Sequence, residues 1–170
     1  MTSYLAPRRI RSEDEFDQFE CRSAEQTAWV RRHARQADAM GTATTFVVVS
    51  SEGEVAAFYA WSMASITIAQ SPVRLRKGAG RYPQPVALLA RLGVGIKHER
   101  RGIGAALLKD AISRVAVLGT EIGCRGLLIH AETTDARDFY LHLIPEFEAS
   151  PSDELHLVLL MKDIHRSLAE

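Results

Sequence analysis

The chain has 170 residues, 46% of them hydrophobic and 25% charged, with 21 basic residues balanced by 21 acidic ones. That size favours one well-packed domain over two, and no apolar run reaches membrane-span length or forms the core of a signal peptide. Cys21 and Cys124 stand alone, which argues against a disulfide framework or a CxxC metal site. The expectation is a cytoplasmic protein with no metal and no membrane contact.

Residues 1–12 read as an irregular lead-in. Glu13 to Gln36 has helical composition, with Phe16 and Phe19 as a short apolar face and a break near Cys21-Arg22-Ser23. Ser23 followed by Gln26 fits a capping box for the second helix. The basic run Arg31 to Arg35 suits a solvated helix face better than a nucleic-acid contact. Gly41 closes this region. Thr44 to Val49 is a strand by its β-branched content, Ser51 to Glu54 a turn, and Val55 to Ser65 the second strand of a hairpin. Tyr59 and Trp61 on that strand either face the core or line a cleft. Ile66 to Pro85 carries Pro72, Gly78, Gly80, Pro83 and Pro85 among basic residues and reads as a long irregular loop, of the kind that is functional or disordered.

Leu88 to Gly119 is the centre of the chain. It opens as an apolar strand bounded by Pro85 and Lys97-His98-Glu99, turns through Glu99-Arg100-Arg101-Gly102-Ile103-Gly104-Ala105, and becomes a helix. Ile103, Leu107, Leu108, Ala111, Ile112, Val115 and Leu118 fall on one face of that helix. Strand, basic glycine turn and helix make the geometry of a phosphate cradle. Gly102 and Gly104 let a ligand approach the backbone, and the first helical N–H groups lack an intrahelical acceptor. The pattern is neither a GxxxxGK-Ser/Thr loop nor GxGxxG, and a helix that merely begins after glycines is the alternative on spacing alone.

Gly119 and Gly123 mark the fraying end of the helix, and Cys124 to Ala131 is a buried strand. Thr133 or Thr134 then caps a helix from Asp135 to Leu141 that carries Ala136, Phe139 and Tyr140 near one face. Two short strands close the chain, around Phe147 and over Leu155 to Met161. A single α+β sheet domain over residues 1–170 follows.

Net neutrality hides a segregation of charge. Between Ser71 and Arg101 the cations are Arg74, Arg76, Lys77, Arg81, Arg91, Lys97, Arg100 and Arg101, against the lone acid Glu99. That segment carries +7 and the remainder −7. A positive field around a phosphate cradle favours a polyanionic ligand or partner.

The succession LARLGV, HERRGIGAALL, LLIHAETTDARDFY and a terminal strand pair resembles the GNAT (GCN5-related N-acetyltransferase) superfamily. FECRSAEQTAWVRRHARQADAMGTATTFVVV, PVALLARLGV, AALLKDAISR, EIGCRGLLIHA, ARDFY and SPSDELHLVLLMKD are similar to the acetyltransferase toxins of bacterial type II toxin–antitoxin pairs, over nearly the whole chain. The resemblance implies a mixed, mostly antiparallel twisted sheet flanked by helices, with a splayed central strand pair holding CoA. It implies that the backbone N–H groups of Arg100, Arg101, Gly102, Ile103, Gly104 and Ala105 hold the pyrophosphate of acetyl-CoA. Leu92, Gly93 and Val94 would bind the pantetheine and thioester, and Tyr140 would act as general acid on the departing thiolate. Thr133 stands where related toxins often carry an Asn that contacts CoA. Glu99 replaces the family's Gln or Arg, and Ile144-Pro145-Glu146-Phe147 replaces its Gly-Phe.

The implied substrate is the α-amino group of aminoacyl-tRNA, whose acetylation blocks translation, with Arg74, Arg76, Lys77 and Arg81 positioning the tRNA. A homodimer, and a ribbon-helix-helix antitoxin whose complex binds operator DNA, belong to the same implication. For a general base the candidates are Glu54, His98 and Glu99, or water alone, while His130 suits a structural role. Two alternatives remain at this level. One is a GNAT enzyme acting on a small-molecule amine or a protein amine; the other is a non-catalytic acyl-CoA-binding or DNA-associated module.

Overall fold

Residues 1–169 are described by a computed structural model of the chain; Glu170, the last residue of the expected domain, lies outside the described residues. Seven strands form one sheet in the order β1-β2-β3-β4-β5-β7-β6. They are β1 (Arg8–Arg9), β2 (Thr44–Val49), β3 (Val55–Ile66), β4 (Gln84–Val94), β5 (Gly126–His130), β6 (Glu148–Ser150) and β7 (Asp153–Leu160). β4 and β5 run parallel, with Ala87–Leu89 against Leu127–Ile129. The pairs β1–β2, β2–β3, β5–β7 and β6–β7 are antiparallel. Six α-helices accompany them: α1 (Ala24–Arg32), α2 (Ala34–Met40), α3 (Val73–Arg76), α4 (Ile103–Glu121), α5 (Thr134–Leu143) and α6 (Met161–Ala169). The chain divides into two compact units, Met1–Ser62 with Ala90–Asp110, and Met63–Leu89 with Ala111 onward.

In the first unit Phe16, Phe19, Val30, Ala34, Val47, Val55 and Phe58 form one apolar cluster, with Ile10 and Trp29 packed on it. Three expectations fail here. The lead-in is not wholly irregular, because Arg8 and Arg9 pair with Val47 and Phe46 as an edge strand. Glu13 to Cys21 is not helical. The Asp14 carboxylate accepts the Arg11 N–H at 2.7 Å and both terminal nitrogens of Arg8 at 2.8 Å, so a local turn captures the backbone. The Arg8 guanidinium holds that carboxyl below its usual range. The helix break falls at His33 rather than at Cys21 to Ser23. Ser23 does cap α1, its hydroxyl accepting from Gln26 N at 3.0 Å. The reciprocal half of the box is spent elsewhere, since the Gln26 side chain accepts from Arg91 at 3.2 Å. Arg31 donates to the carbonyls of Phe16 and Phe19, which makes part of the basic run structural. Tyr59 is fully buried, stacked on Phe46, and donates to Asp110 at 2.7 Å, so it belongs to the core.

In the second unit Ile66, Leu75, Val86, Leu128, Val158 and Leu160 pack together. The segment 66–85 is more ordered than a long loop. Its Leu75, on the single turn α3, has no exposed surface, and Gln84 donates to the carbonyls of Ala79 and Tyr82 at 3.1 and 2.9 Å. α4 runs through Gly119, where a Cβ would meet Met161 Cε at 2.6 Å; the glycine serves packing there and does not end the helix. The last strand stops at Leu160 and α6 follows without a linker, an element the sequence reading lacks. Among its nine residues only Ile164 and Asp163 are buried, too thin an apolar stripe to announce a helix.

Candidate active site

In the first unit the chain leaves β4 at Val94 and makes a single 3-10 turn over Ile96–His98. It then passes through Arg100 at φ +62° and Gly102 at φ +77° before α4 begins. The Gly102 O accepts from Ala106 N at 3.1 Å, which is the first bond of the helical ladder. The N–H groups of Ile103, Gly104 and Ala105 therefore precede every i→i−4 acceptor and carry the positive end of the helix dipole. Nothing lies within 4 Å of the position a Cβ would take at Gly102. A pyrophosphate fits this turn: it needs backbone donors and an approach without side chains, and both are present. Buried Ile103 and Leu107 root the start of the helix in the core.

The side chains of the turn are anchored away from it. Glu99 meets Arg22 in a two-pronged ion pair at 2.7 and 2.9 Å. Arg22, with Arg100 adding to it, holds the Glu99 carboxyl below its usual range. The acid that departs from the family pattern is thereby neutralised. On the other flank Arg101 donates to Tyr4 Oη at 2.7 Å, and that hydroxyl shares a hydrogen bond with His98 Nδ1 at 2.8 Å. His98 Nε2 is buried without a hydrogen-bond partner among the described residues and lies 3.8 Å from Glu54 Oε2. Arg100 sits between these two anchors in a left-handed conformation that a non-glycine residue adopts at a cost.

Removing the Tyr4 hydroxyl therefore loosens the turn without touching chemistry. Tyr4→Phe is expected to raise KM for acetyl-CoA about three- to tenfold, the scale of one hydrogen bond to a charged group, with kcat unchanged. Steady-state kinetics check this, and adding Arg100→Gly, which removes the strain, is expected to restore KM.

Leu92, Gly93 and Val94 are the last three residues of β4. The parallel register of β4 with β5 covers Ala87 to Leu89, and Leu92 to Val94 follow it in sequence. Gly93 has a packing reason of its own, since a Cβ there would meet Phe58 at 2.9 Å and Cys21 Sγ at 3.1 Å.

In the second unit Tyr140 projects from α5 and is 7% exposed, in edge contact with Phe139 and Phe147. No hydrogen bond engages its hydroxyl among the described residues, and burial pushes the phenol above its ordinary value. It is a neutral proton donor without a competing acceptor. Thr133 is the cap of α5, accepting from Ala136 N at 3.1 Å, and its side chain is committed to that helix end. His130 stacks on His156 with ring centroids 3.9 Å apart. Burial first, and then His156, keep its imidazole below the usual range. Of the basic candidates, Arg76, Lys77 and Arg81 are exposed. Arg74 is instead fixed by Asp163 at 2.8 and 3.1 Å and by Glu148 at 3.7 Å. Sequence spacing singled out the glycine turn and the family resemblance singled out Tyr140; neither pointed to Arg22 or Tyr4, whose partners lie 77 and 97 residues away. Among the described residues no cluster of His, Cys, Asp or Glu could hold a metal ion, and no helix is long and apolar enough to cross a membrane.

Residues 8–143 match the Acetyltransferase (GNAT) family, and the chain belongs to that family. It is 40% identical over 163 residues to a tRNA-acetylating toxin of Mycobacterium tuberculosis, covering 96% of each chain. Among solved structures it is similar to AtaT complexed with acetyl-methionyl-tRNAfMet, with a TM-score of 0.88, 18% identity, and 98% and 99% of the two chains covered. A mutant of KacT gives a TM-score of 0.87 at 17% identity, covering 98% of each chain. At those identities the two structures speak for the fold.

Proposed function

We propose that this chain is the toxin of a type II toxin–antitoxin pair and acetylates the α-amino group of aminoacyl-tRNA, with acetyl-CoA as acetyl donor. The observation that carries the substrate is the 40% identity, over 96% of both chains, to a tRNA-acetylating toxin. The excess of seven positive charges between Ser71 and Arg101 suits a polyanionic substrate.

The backbone N–H groups of Gly102 to Ala105, with those of Arg100 and Arg101, hold the pyrophosphate, and Leu92 to Val94 line the pantetheine. The neutral α-amino nitrogen attacks the thioester carbonyl directly and forms the amide bond. Tyr140 gives its hydroxyl proton to the sulfur as the carbon–sulfur bond breaks, and the nitrogen releases its own proton to water. With His98 Nδ1 held by Tyr4 and Glu99 held by Arg22, water is the simplest acceptor for that proton. Arg76, Lys77 and Arg81 contact RNA phosphates, and Arg74 shapes their platform. The two units act as one catalytic domain, a reading supported by a family match that runs across both.

The same reading places the protein in the cytoplasm as a homodimer with a ribbon-helix-helix antitoxin. Similar structures include AtaT bound to the C-terminus of the antitoxin AtaR, and a KacTA–DNA complex. The test is transfer of label from acetyl-CoA to bulk charged tRNA. The expected result is labelled aminoacyl-tRNA, with none formed when the tRNA is deacylated beforehand. Labelling of small amines or protein N-termini, with charged tRNA left unlabelled, would overturn it.

A further inference from the structure

We propose that a basic cavity at the start of α6 is a binding site for the phosphodiester backbone of RNA, apart from the pyrophosphate turn. The cavity measures about 460 Å³ and is lined by Arg74, Lys77, Arg125, Leu160, Met161 and Lys162. Four of these six residues are cations and none is an acid. Other cations answer the two nearby carboxylates: Arg74 bonds Asp163 at 2.8 and 3.1 Å and lies 3.7 Å from Glu148, and Arg166 lies 3.7 Å from Asp163. Lys77, Arg125 and Lys162 have no ion-pair partner among the described residues. Three cations without a close ion-pair partner around one hollow, only Lys162 within reach of the Asp163 charge, make a local excess that an anion relieves.

Two of the cations are built in. Arg125 donates to Gln84 Oε1 at 2.6 Å, and its backbone is tied to Pro85 O and Met161 N at 2.8 and 2.9 Å. Gln84 is itself locked by Ala79 and Tyr82. One guanidinium nitrogen of Arg125 is used in this way, and the remaining donors of its planar fork stay available to phosphate oxygens. Arg74 is held rigid by Asp163. Lys77 and Lys162 are exposed and free to close on a ligand. The volume is that of a nucleotide-sized site and exceeds what a single small ion fills, and Leu160 and Met161 give a sugar an apolar surface. A chain of linked phosphates and sugars has that mixture of charge and apolar bulk.

The site rests on the aminoacyl-tRNA reading for its choice of RNA, and the experiment separates the two. In the full-length protein, Lys77→Ala with Lys162→Ala is compared with the unaltered chain for tRNA binding across a salt series. Binding is expected to weaken about tenfold near 0.1 M salt, and the slope of log K against log salt to fall by about 1.5, the release from two phosphate contacts. Unfolding temperature and calorimetric acetyl-CoA binding are expected to stay unchanged, and inorganic tripolyphosphate to compete with tRNA on the unaltered protein only. Unchanged tRNA affinity and slope would overturn the site, as would loss of acetyl-CoA binding or failure of tripolyphosphate to compete with tRNA on the unaltered protein. If the unaltered protein acetylates charged tRNA and the double variant does so with the same KM, the site falls and the function stands. If the lysines govern tRNA binding but no aminoacyl-tRNA is acetylated, the site stands and the function falls.

Discussion

Tyr140→Phe is expected to lower kcat for acetyl transfer by about 10²- to 10⁴-fold, the range of a positioned general acid, and to leave acetyl-CoA binding within about twofold. The split follows from the surroundings of the residue. Tyr140 is packed against Phe139 and Phe147, and its ring stays in place when the hydroxyl is removed. No hydrogen bond engages that hydroxyl among the described residues, so its loss strands no partner and changes stability little. What disappears is a proton donor kept in its acid form, since burial raises the phenol above its ordinary value. The sign has a consequence in pH. A raised value keeps the hydroxyl protonated as pH climbs, so Tyr140 adds no falling limb to the kcat profile below about pH 10. Single-turnover transfer with saturating acetyl-CoA, alongside calorimetric binding, makes the measurement. A loss under about threefold would remove Tyr140 from the chemistry.

How much of this was legible in the sequence depends on the range of the interaction concerned. The turn before α4 was readable because its determinants are contiguous: Gly102 supplies a positive φ, and Ile103 and Leu107 supply the buried face. The hairpin β2–β3, the strand β5 and the Thr133 cap of α5 were readable for the same reason. Phe16 and Phe19 misled because their spacing of three is also that of two successive tight turns, and Asp14 decides for turns by taking the Arg11 N–H. β1 escaped because it consists of two arginines whose pairing is with the edge of β2, a tertiary fact with no apolar signature. That Arg22 answers Glu99 was not legible, because nothing near Glu99 in sequence announces a partner 77 residues away. The basic segment was visible as charge, yet its division into a buttress, Arg74, and exposed cations depends on Asp163, which lies 89 residues further on.

Gly126→Ala is expected to destabilise the fold by about 3 kcal/mol or more, the upper range of overpacking, and so to lower Tm by about 6–12 °C for a chain of this size. Gly126 opens β5 opposite Leu160 of β7. A Cβ there would fall on the Leu159 carbonyl oxygen and lie 3.1 Å from both Leu159 C and Leu160 Cα. These are backbone atoms of a paired strand, so no side-chain rotation relieves the overlap. The ladder itself must open. The neighbouring bonds amplify the shift: Arg125 N donates to Pro85 O at 2.8 Å, and Arg125 O accepts from Met161 N, the first residue of α6, at 2.9 Å. Moving Gly126 therefore strains the junction of β4, β5 and α6 together, along with the Arg125 wall of the basic cavity. Gly123→Ala is the control, three residues away with nothing within 4 Å of its Cβ position, and is expected to shift Tm by under about 2 °C. Thermal and urea unfolding of the two variants side by side read the difference. Equal midpoints would mean that β5 and β7 do not approach so closely at this point, and that the glycine there reflects something other than the sheet.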